Sequence, residues 1–313
     1  MIMHTAPKTD FLAPDDTASE LPNLALAPLM EPQPKPVPAT PVLPAQRIAA
    51  WLRGVLPGVL MTALSLGLFI AFWYFATKYR WDFYIRFTNI PSPGDVLTNA
   101  ANLMHSDKFY NNMWVSVRRI LLGFGIATVL GVTFGLLIGQ YRAARGLMFP
   151  LFEVLRPIPA IAWVPMAIML WPTNETSIVF ITFLGSFFPI LLNTIHGVKS
   201  VDAVLLRAGR CLGANEFSLL RQVILPAALP HIFTGLTIGM GVAWVSLIAA
   251  EMISGQYGIG YFTWEAYSLI QYADIAIGMI VIGMLGLACS SGIRLLGNKL
   301  MPWLPTHSSR GRA

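Results

Sequence analysis

Six apolar blocks, each about as long as a bilayer is thick, dominate this sequence. A helix needs about 20 apolar residues to cross the hydrocarbon core. The blocks cover residues 57–77, 120–141, 146–171, 176–195, 227–250 and 275–293. Charged residues make up 12% of the chain, against roughly 25% in soluble domains. The pattern excludes a soluble globular protein and predicts an all-α polytopic membrane protein with six transmembrane helices.

The third block, 146–171, differs from the others because it contains prolines and charges. Proline removes a backbone donor and kinks or breaks a helix, so we expect a bent span here. Glu153 and Arg156 stand three residues apart, and we expect them to pair across one turn near the membrane surface. A role for Arg156 in an anion path is the alternative. The prolines of the block are Pro150, Pro157, Pro159 and Pro165.

The two ends of the chain have the composition of tails. Residues 1–46 hold ten prolines with scattered acids, and such a stretch cannot supply a packed element. We expect 1–46 to be a disordered cytoplasmic tail, with a Pro-rich docking motif as the alternative. Residues 304–313 are expected to form a short cytoplasmic C-terminal tail, which leaves 47–303 as the membrane domain.

Basic residues favour one orientation of the six spans. The formal charge is +6, and Lys and Arg concentrate in loops that face the cytoplasm. With both termini cytoplasmic, most of the basic residues between and after the spans fall on the cytoplasmic side. The residues 78–119 on the opposite side also carry six basic residues, so the rule favours this topology without fixing it.

Small residues recur every fourth position in the second and fifth blocks. Positions four apart lie on about one helix face, where small side chains let two backbones approach closely. We expect internal helix packing, with a dimer or gating seam as the alternative. The residues are Ala127, Gly131, Gly135 and Gly139, followed by Gly235 and Gly239.

The segment 196–226 is too long for a simple connection between two spans. Residues 201–212 predict an amphipathic helix with an apolar stripe of Leu205, Leu206, Ala208 and Leu212. Gly213 interrupts that helix, and 216–223 predict a second helix that ends at Leu225-Pro226. An exposed apolar stripe on such a protrusion indicates a partner.

The same segment resembles the cytoplasmic EAA loop of importer permeases of the ATP-binding cassette (ABC) class. That signature is E-A-A, three residues, G, nine residues, I, one residue and L-P. Here Arg207 replaces the glutamate, Gly209 the second alanine and Val223 the isoleucine, while Gly213 and Leu225-Pro226 keep their spacing. The resemblance implies a type I ABC importer permease (MetI-like) fold, with 47–303 as the transmembrane permease domain and 196–226 as its coupling loop. The coupling residues it implies are Arg207, Ala208, Gly209, Gly213, Glu216, Val223, Leu225 and Pro226.

Further motifs resemble the nitrate/sulfonate/taurine/bicarbonate branch of that family over roughly residues 90–303. The segments 189–194 and 264–267 are similar to nitrate and bicarbonate permeases, whereas 197–200 and 302–303 are similar to taurine permeases. The cargo implied is a small anion, most of all nitrate or bicarbonate, with taurine or aliphatic sulfonates as the alternative. The other motifs are Pro91-Ser92-Pro93, Arg156-Pro157-Ile158-Pro159, Glu175-Thr176-Ser177, Ile232-Phe233-Thr234-Gly235-Leu236, Ala249-Ala250-Glu251-Met252 and Gly258-Ile259-Gly260.

The resemblance also implies partners. They are a second copy of the chain, two cassette ATPase subunits that bind ATP and magnesium, and a periplasmic substrate-binding protein. The implied location is the bacterial inner membrane, and nothing implies a nucleic-acid partner. The chain itself shows no phosphate loop, because Asn298 separates Gly297 from Lys299. Cys211 and Cys289 are too far apart in sequence to predict a thiolate metal site.

Two function classes remain open on the residues themselves. A transport subunit without its own catalysis explains the 196–226 protrusion, whereas a membrane enzyme or scaffold does not. We expect Glu251 to be a hydrogen-bonded acid at the membrane interface and not a substrate contact, because a carboxylate repels an anion. Polar side chains within the spans are candidates for the translocation path, with ordinary interhelical hydrogen bonding as the alternative for each. They are Arg156, Ser186, Asn193, Thr237, Trp244 and Ser246.

Overall fold

The computed structural model describes residues 44–81 and 89–303, with side chains from Leu56 onward. The secondary structure of these residues is helical throughout. The described residues divide into two units between Thr62 and Ala63, and the packing described below lies in the second. Of the predicted tails, 1–43 and 304–313 lie outside the described residues, whereas residues 44–46 form the start of the first helix.

Eleven α-helices are described in residues 44–81 and 89–303, joined by one 3₁₀ turn and one π turn. The turns are Ala160–Trp163 and Leu220–Ile224. The helices are α1 Pro44–Lys78, α2 Pro93–Leu103, α3 Asp107–Gln140, α4 Arg142–Leu155, α5 Val164–Leu170, α6 Asn174–Lys199, α7 Ala203–Cys211, α8 Glu216–Leu219, α9 Leu225–Ser254, α10 Ile259–Ser268 and α11 Tyr272–Leu300.

Five helical stretches among these residues are long and apolar enough to cross a membrane. They are 56–78, 107–140, 174–199, 216–254 and 272–300. The third predicted block consists of two helical halves, α4 and the segment 160–170, which meet at a bend of 86°. If the two halves count as one, they make a sixth span. The break expected in this block is confirmed. Pro157 and Pro159 lie at the bend. Each lacks the N–H group that would continue the helical hydrogen-bond pattern, so the helix stops there.

Helix α6 lies at the centre of the bundle and packs along its length against α3 and α9. Its buried residues Ile178, Ile181, Ile190 and Leu191 belong to the two largest apolar clusters. A helix that is apolar on several faces is buried inside its bundle. The core therefore forms around α6, with α3 and α9 packed directly against it.

The small residues of α3 and α9 make this close packing possible. A Cβ atom added to Gly135 would lie 2.5 Å from Cβ of Thr194, and one added to Gly239 would lie 3.0 Å from Ile190. Gly131 and Gly139 face α6 in the same way. The small-residue ladder thus serves packing within the chain, as expected.

Gly135→Ala should destabilise the protein, whereas Gly125→Ala should not. The new methyl group at position 135 collides with Thr194, and overpacking of this kind costs about 1–3 kcal/mol. Nothing lies within 4 Å of a Cβ at Gly125, so there alanine should gain helix propensity of up to about 1 kcal/mol. Thermal unfolding of the two purified variants in detergent measures the difference. Equal midpoints would show that α3 and α6 are not in this contact.

Candidate functional site

Two short helices after α6 form the protrusion predicted from the sequence. Asp202 caps α7 by accepting a hydrogen bond from the Val204 N–H at 2.8 Å. Asn215 caps α8 in the same way, accepting from the Ser218 N–H at 2.7 Å. Both caps satisfy backbone donors that a helix start leaves free. The predicted first helix, 201–212, is confirmed with slightly shorter bounds.

Gly213 makes the turn between these helices. Its φ angle is +82°, a conformation that side chains with a Cβ rarely adopt. The N–H of Gly213 donates to the carbonyl of Arg210, and the N–H of Ala214 donates to the carbonyl of Gly209, both at 3.0 Å. This is the left-handed end that commonly terminates a helix. A Cβ at this position would meet nothing within 4 Å. The glycine is therefore required for its backbone conformation and not for lack of space.

Gly209 holds the two helices of the protrusion together. A Cβ at Gly209 would lie 2.7 Å from Cδ1 of Leu219, and Leu219 is completely buried. Val223 and Ile224 extend the same apolar cluster into α9. Glycine in place of the second alanine of the family signature therefore lets the first helix lie closer to the second.

The sequence predicted that the second helix of the protrusion ends at Leu225-Pro226, but the helix continues past these residues. Leu220–Ile224 form a π turn, and α8, this turn and α9 run on as one helical stretch from Glu216 to Ser254. The Leu225 N–H donates to the carbonyl of Leu220, five residues back. Pro226 lies in the first turn of α9, where its missing N–H is tolerated. The protrusion is thus continuous with a membrane span.

The apolar stripe of the first helix is divided between two environments. Leu206 packs inward against the cluster around Leu219, so the prediction that it lies on one exposed stripe is wrong. Successive residues of a helix are about 100° apart, so Leu206 points in a different direction from Leu205. Leu205 and Leu212 are exposed, Leu212 by 88%. Arg207 and Ala208 are exposed as well. Glu216 pairs with Arg210 at 3.4 Å, where both side chains remain accessible.

A second feature of the bundle is a cavity beside the bend of the third span. Its volume is about 550 Å³. We call it the elbow cavity. It is lined by the bend between Arg156 and Trp163, by one face of α6 from Leu184 to His196, and by Ile238 and Val242 of α9.

The six path candidates separate into two groups. Arg156 and Asn193 line the elbow cavity. Ser186 and Thr237 are not among its lining residues, and each hydroxyl donates to a carbonyl of its own helix at 2.9 Å. The remaining two, Trp244 and Ser246, are buried, the first in the apolar core and the second against Gly185.

The expected ion pair between Glu153 and Arg156 does not form. The ion pairs of residues 56–81 and 89–303 do not include it, and both side chains are exposed. Helix α4 ends at Leu155, because prolines follow, and Arg156 caps it. Arg156 also lines the elbow cavity.

The structure also contains a buried ionic network that sequence reasoning missed. Arg119 of α3 is 2% exposed and Glu251 of α9 is fully buried. The Nη1 atom of Arg119 donates to Glu251 at 2.9 Å and to the Tyr257 carbonyl at 2.6 Å. Its Nε and Nη2 atoms donate to the two oxygens of Glu175 at the start of α6. One arginine thus joins the same ends of three spans.

The Glu251 carboxylate also fixes the start of α10. It accepts hydrogen bonds from Ser116 at 2.8 Å and from the Gly260 N–H at 2.9 Å. Ser116 accepts in turn from the Ile259 N–H at 2.9 Å. A carboxylate at a helix N-terminus is stabilised by the free N–H groups there. Gly258 (φ +121°) is required, because a Cβ at that position would collide with the carboxylate.

Glu251 is hydrogen-bonded, as expected, and it is also fully buried within the protein. Arg119 was counted only as one basic residue of the segment 78–119. The available signal is the pair of basic residues Arg118 and Arg119 just before one apolar block, together with the acid Glu251 just after another, since buried charges in membrane proteins pair with one another.

Within the described residues, no cluster of three or more His, Cys, Asp or Glu side chains could hold a metal ion. What these residues do form is a helical bundle with one cavity at its third span and one two-helix protrusion continuous with its fifth. The class that such a bundle defines is a multi-pass membrane protein.

Comparison with known proteins identifies the family. The chain belongs to the family of binding-protein-dependent transport system inner membrane components, whose model matches residues 129–303, more than half of the chain. It is 34% identical over 224 residues to the nitrate import permease protein NrtB of Synechocystis sp., covering 69% of this chain and 82% of that protein.

Two further relatives have other cargoes in their names. The bicarbonate transport system permease protein CmpB of Synechococcus elongatus is 40% identical over 173 residues, covering 55% of this chain and 62% of the relative. The taurine transport system permease protein TauC of Escherichia coli is 34% identical over 219 residues, covering 68% and 80%. The family is that of ABC permease components, as the sequence motifs implied.

Arg119→Gln should destabilise the protein far more than Arg118→Gln. Removing one partner of a buried ion pair leaves an uncompensated charge and costs about 3–5 kcal/mol. Arg118 pairs with Glu175 at 3.3 Å with both side chains largely exposed, and such pairs are worth about 1 kcal/mol or less. Thermal unfolding in detergent distinguishes the two variants. A small, equal effect would mean that Arg119 is solvated in the membrane.

Proposed function

We propose that the chain is the permease subunit of an ATP-driven importer that moves a small anion from a periplasmic binding protein to the cytoplasm by alternating access. The observation that carries this proposal is the protrusion of α7 and α8, which is continuous with the α9 span. A membrane enzyme or scaffold has no use for such a protrusion. Family membership supports the same function.

Coupling depends on the continuity between α8 and α9. The exposed side chains of the protrusion, among them Leu205, Leu212 and Phe217, are suited to contact an ATPase subunit. Movement of that subunit displaces α8, and because α8 continues into α9 the displacement reaches the membrane span. A nucleotide state acts on transport only if it favours one arrangement of the spans over the other. The ATP and magnesium are bound by the partner subunits.

The proposed assembly contains two copies of the chain, two ATPase subunits and one external binding protein. Both termini and the protrusion face the cytoplasm, as the basic residues favour. Arg119, Glu175 and Glu251 then lie at the periplasmic ends of their helices, since α6 begins at the network and ends at the protrusion. The proposed location is the inner membrane of a bacterium.

The cargo we propose is nitrate or bicarbonate. The relatives NrtB and CmpB support it, together with the elbow cavity, which contains Arg156 and Asn193. Taurine or an aliphatic sulfonate is the second candidate, which the relative TauC supports. All of these ligands carry an anionic oxygen group that a guanidinium binds.

Gly213→Val should uncouple transport, whereas Gly213→Asn should largely retain it. A β-branched residue at φ +82° is strained, by about 1–3 kcal/mol, while asparagine tolerates this conformation. Both side chains have room, so only the backbone is tested. Co-purification of the ATPase and ATP-driven uptake measure the effect. Normal assembly and uptake in Gly213→Val would contradict the proposed coupling role.

The cargo is tested on the cognate binding protein. We expect that protein to bind nitrate or bicarbonate in a calorimetric panel that also contains nitrite, cyanate, taurine and alkanesulfonates. Binding of taurine alone would establish the second candidate. A binding protein that takes only a cation, a sugar or a peptide would make the anion assignment wrong, although the permease assignment could survive.

A further inference from the structure

The elbow cavity has the charge of an anion site. None of the Asp and Glu residues in the described ranges 56–81 and 89–303 lines it, whereas Arg156 does. His196 and Asn193 add two more groups that can donate hydrogen bonds, three residues apart on the cavity-facing side of α6. The charge of a cation is available to a ligand when no carboxylate beside the cation neutralises it.

Part of the cavity wall is apolar. Trp163, Phe188, Ile238 and Val242 are among the lining residues, whereas Arg156 itself is exposed. The charge of Arg156 is therefore accessible to an ion that enters from solvent.

The backbone at the end of α4 places Arg156 at the elbow cavity. Pro157 and Pro159 end α4, and the N–H of Arg156 still donates to the carbonyl of Phe152 at 2.9 Å. On the opposite wall, the amide of Asn193 donates to the Pro189 carbonyl at 2.8 Å, which fixes the side chain and leaves its second N–H free. The end of α4 thus positions the backbone of Arg156, and a hydrogen bond within α6 positions the Asn193 amide.

We infer that the elbow cavity is a defined binding site for a monovalent oxyanion within the membrane domain. Arg156 contacts the anion, and Asn193 and His196 donate hydrogen bonds to it. The inference rests on the proposed function, to which it adds a location and a ligand class. An aminosulfonate such as taurine also carries an ammonium group, for which the described lining offers no carboxylate, so the site favours nitrate or bicarbonate.

The site is built for brief occupancy. One cation and two neutral donors attract an anion without surrounding it, and the volume of about 550 Å³ leaves room for water around a small oxyanion. Conduction requires binding that is favourable enough to admit the ligand and weak enough to release it. A closed site with several cations would hold the anion too long.

Thiol labelling tests the charge of the cavity without any cargo. Leu192, which lines the cavity, is changed to Cys in a chain whose Cys211 and Cys289 are Ser. An anionic methanethiosulfonate and a neutral one are then compared. Arg156→Gln should lower the anionic-to-neutral rate ratio by about fourfold or more, the factor that Coulomb attraction over about 5 Å in bulk water gives.

The neutral reagent corrects for changes in access and in thiol reactivity. Arg294→Gln is the matched control, since Arg294 is an exposed arginine outside the cavity lining, and it should leave the ratio unchanged. An Arg156→Gln ratio equal to that of the control would overturn the inference.

Uptake by the full complex tests the site in transport. Arg156→Gln should reduce oxyanion uptake by about tenfold or more, since a charge-assisted hydrogen bond is worth about 1.5–3 kcal/mol. Arg156→Lys should retain most of the uptake, and ATP hydrolysis stimulated by the binding protein should persist in both. Uptake by Arg156→Gln at the wild-type rate would overturn the inference.

The two measurements separate this inference from the proposed function. If the wild-type complex carries none of the oxyanions but the labelling ratio still falls in Arg156→Gln, the cargo assignment fails and the anion site stands. If the wild type carries an oxyanion and the ratio does not fall, the site is wrong and the function stands. Should Arg156→Gln not assemble, His196→Ala provides the uptake test, with a loss of about threefold or more expected for one neutral hydrogen bond.

Discussion

The buried pair of Arg119 and Glu251 is the interaction on which the arrangement of the spans depends. Two charges removed from water are tolerated only when they are paired and their remaining donors and acceptors are satisfied. Here the arginine donates to two carboxylates and one carbonyl, and Glu251 accepts from Ser116 and Gly260 as well. Because the partners come from α3, α6, α9 and α10, no one of these helices can move at this end without breaking a charged hydrogen bond.

The network and the protrusion stand at opposite ends of α6. Glu175 lies in the first turn of this helix, and the protrusion follows its last residue, Lys199. A helix of 26 residues is about 39 Å long, so the two features are separated by the thickness of a membrane. In the proposed cycle, ATP acts at one end while the ionic network keeps the spans together at the other. The elbow cavity opens beside the C-terminal half of the same helix.

The sequence predicted the spans and the protrusion because both depend on local patterns. Apolar length identifies a span, and the spacing of Gly213 and Pro226 identifies the loop. It predicted the bend at Pro157 and Pro159 for the same reason. It failed at Pro226, where a π turn lets the helix continue, because whether a proline ends or begins a helix depends on the hydrogen bonds before it.

The remaining errors concern contacts between residues far apart in the chain. Arg119 and Glu251 are 132 positions apart, and no local pattern shows that the two side chains meet. Ser186 and Thr237 are path candidates because they are polar, and the structure places both outside the lining of the elbow cavity. Arg156 and Asn193 were among the same candidates, and only the packing of α4 against α6 distinguishes them from the others.

Reconstituted transport is the direct test of the proposal that the chain is the permease of an ATP-driven oxyanion importer. The chain is incorporated into liposomes with its ATPase and binding protein, and accumulation of labelled nitrate and bicarbonate is followed with and without ATP. We expect accumulation that requires ATP, the ATPase and the binding protein together. Anion flux through the chain alone, or no accumulation of any oxyanion by the complete complex, would show that the chain is not the permease of an ATP-driven oxyanion importer.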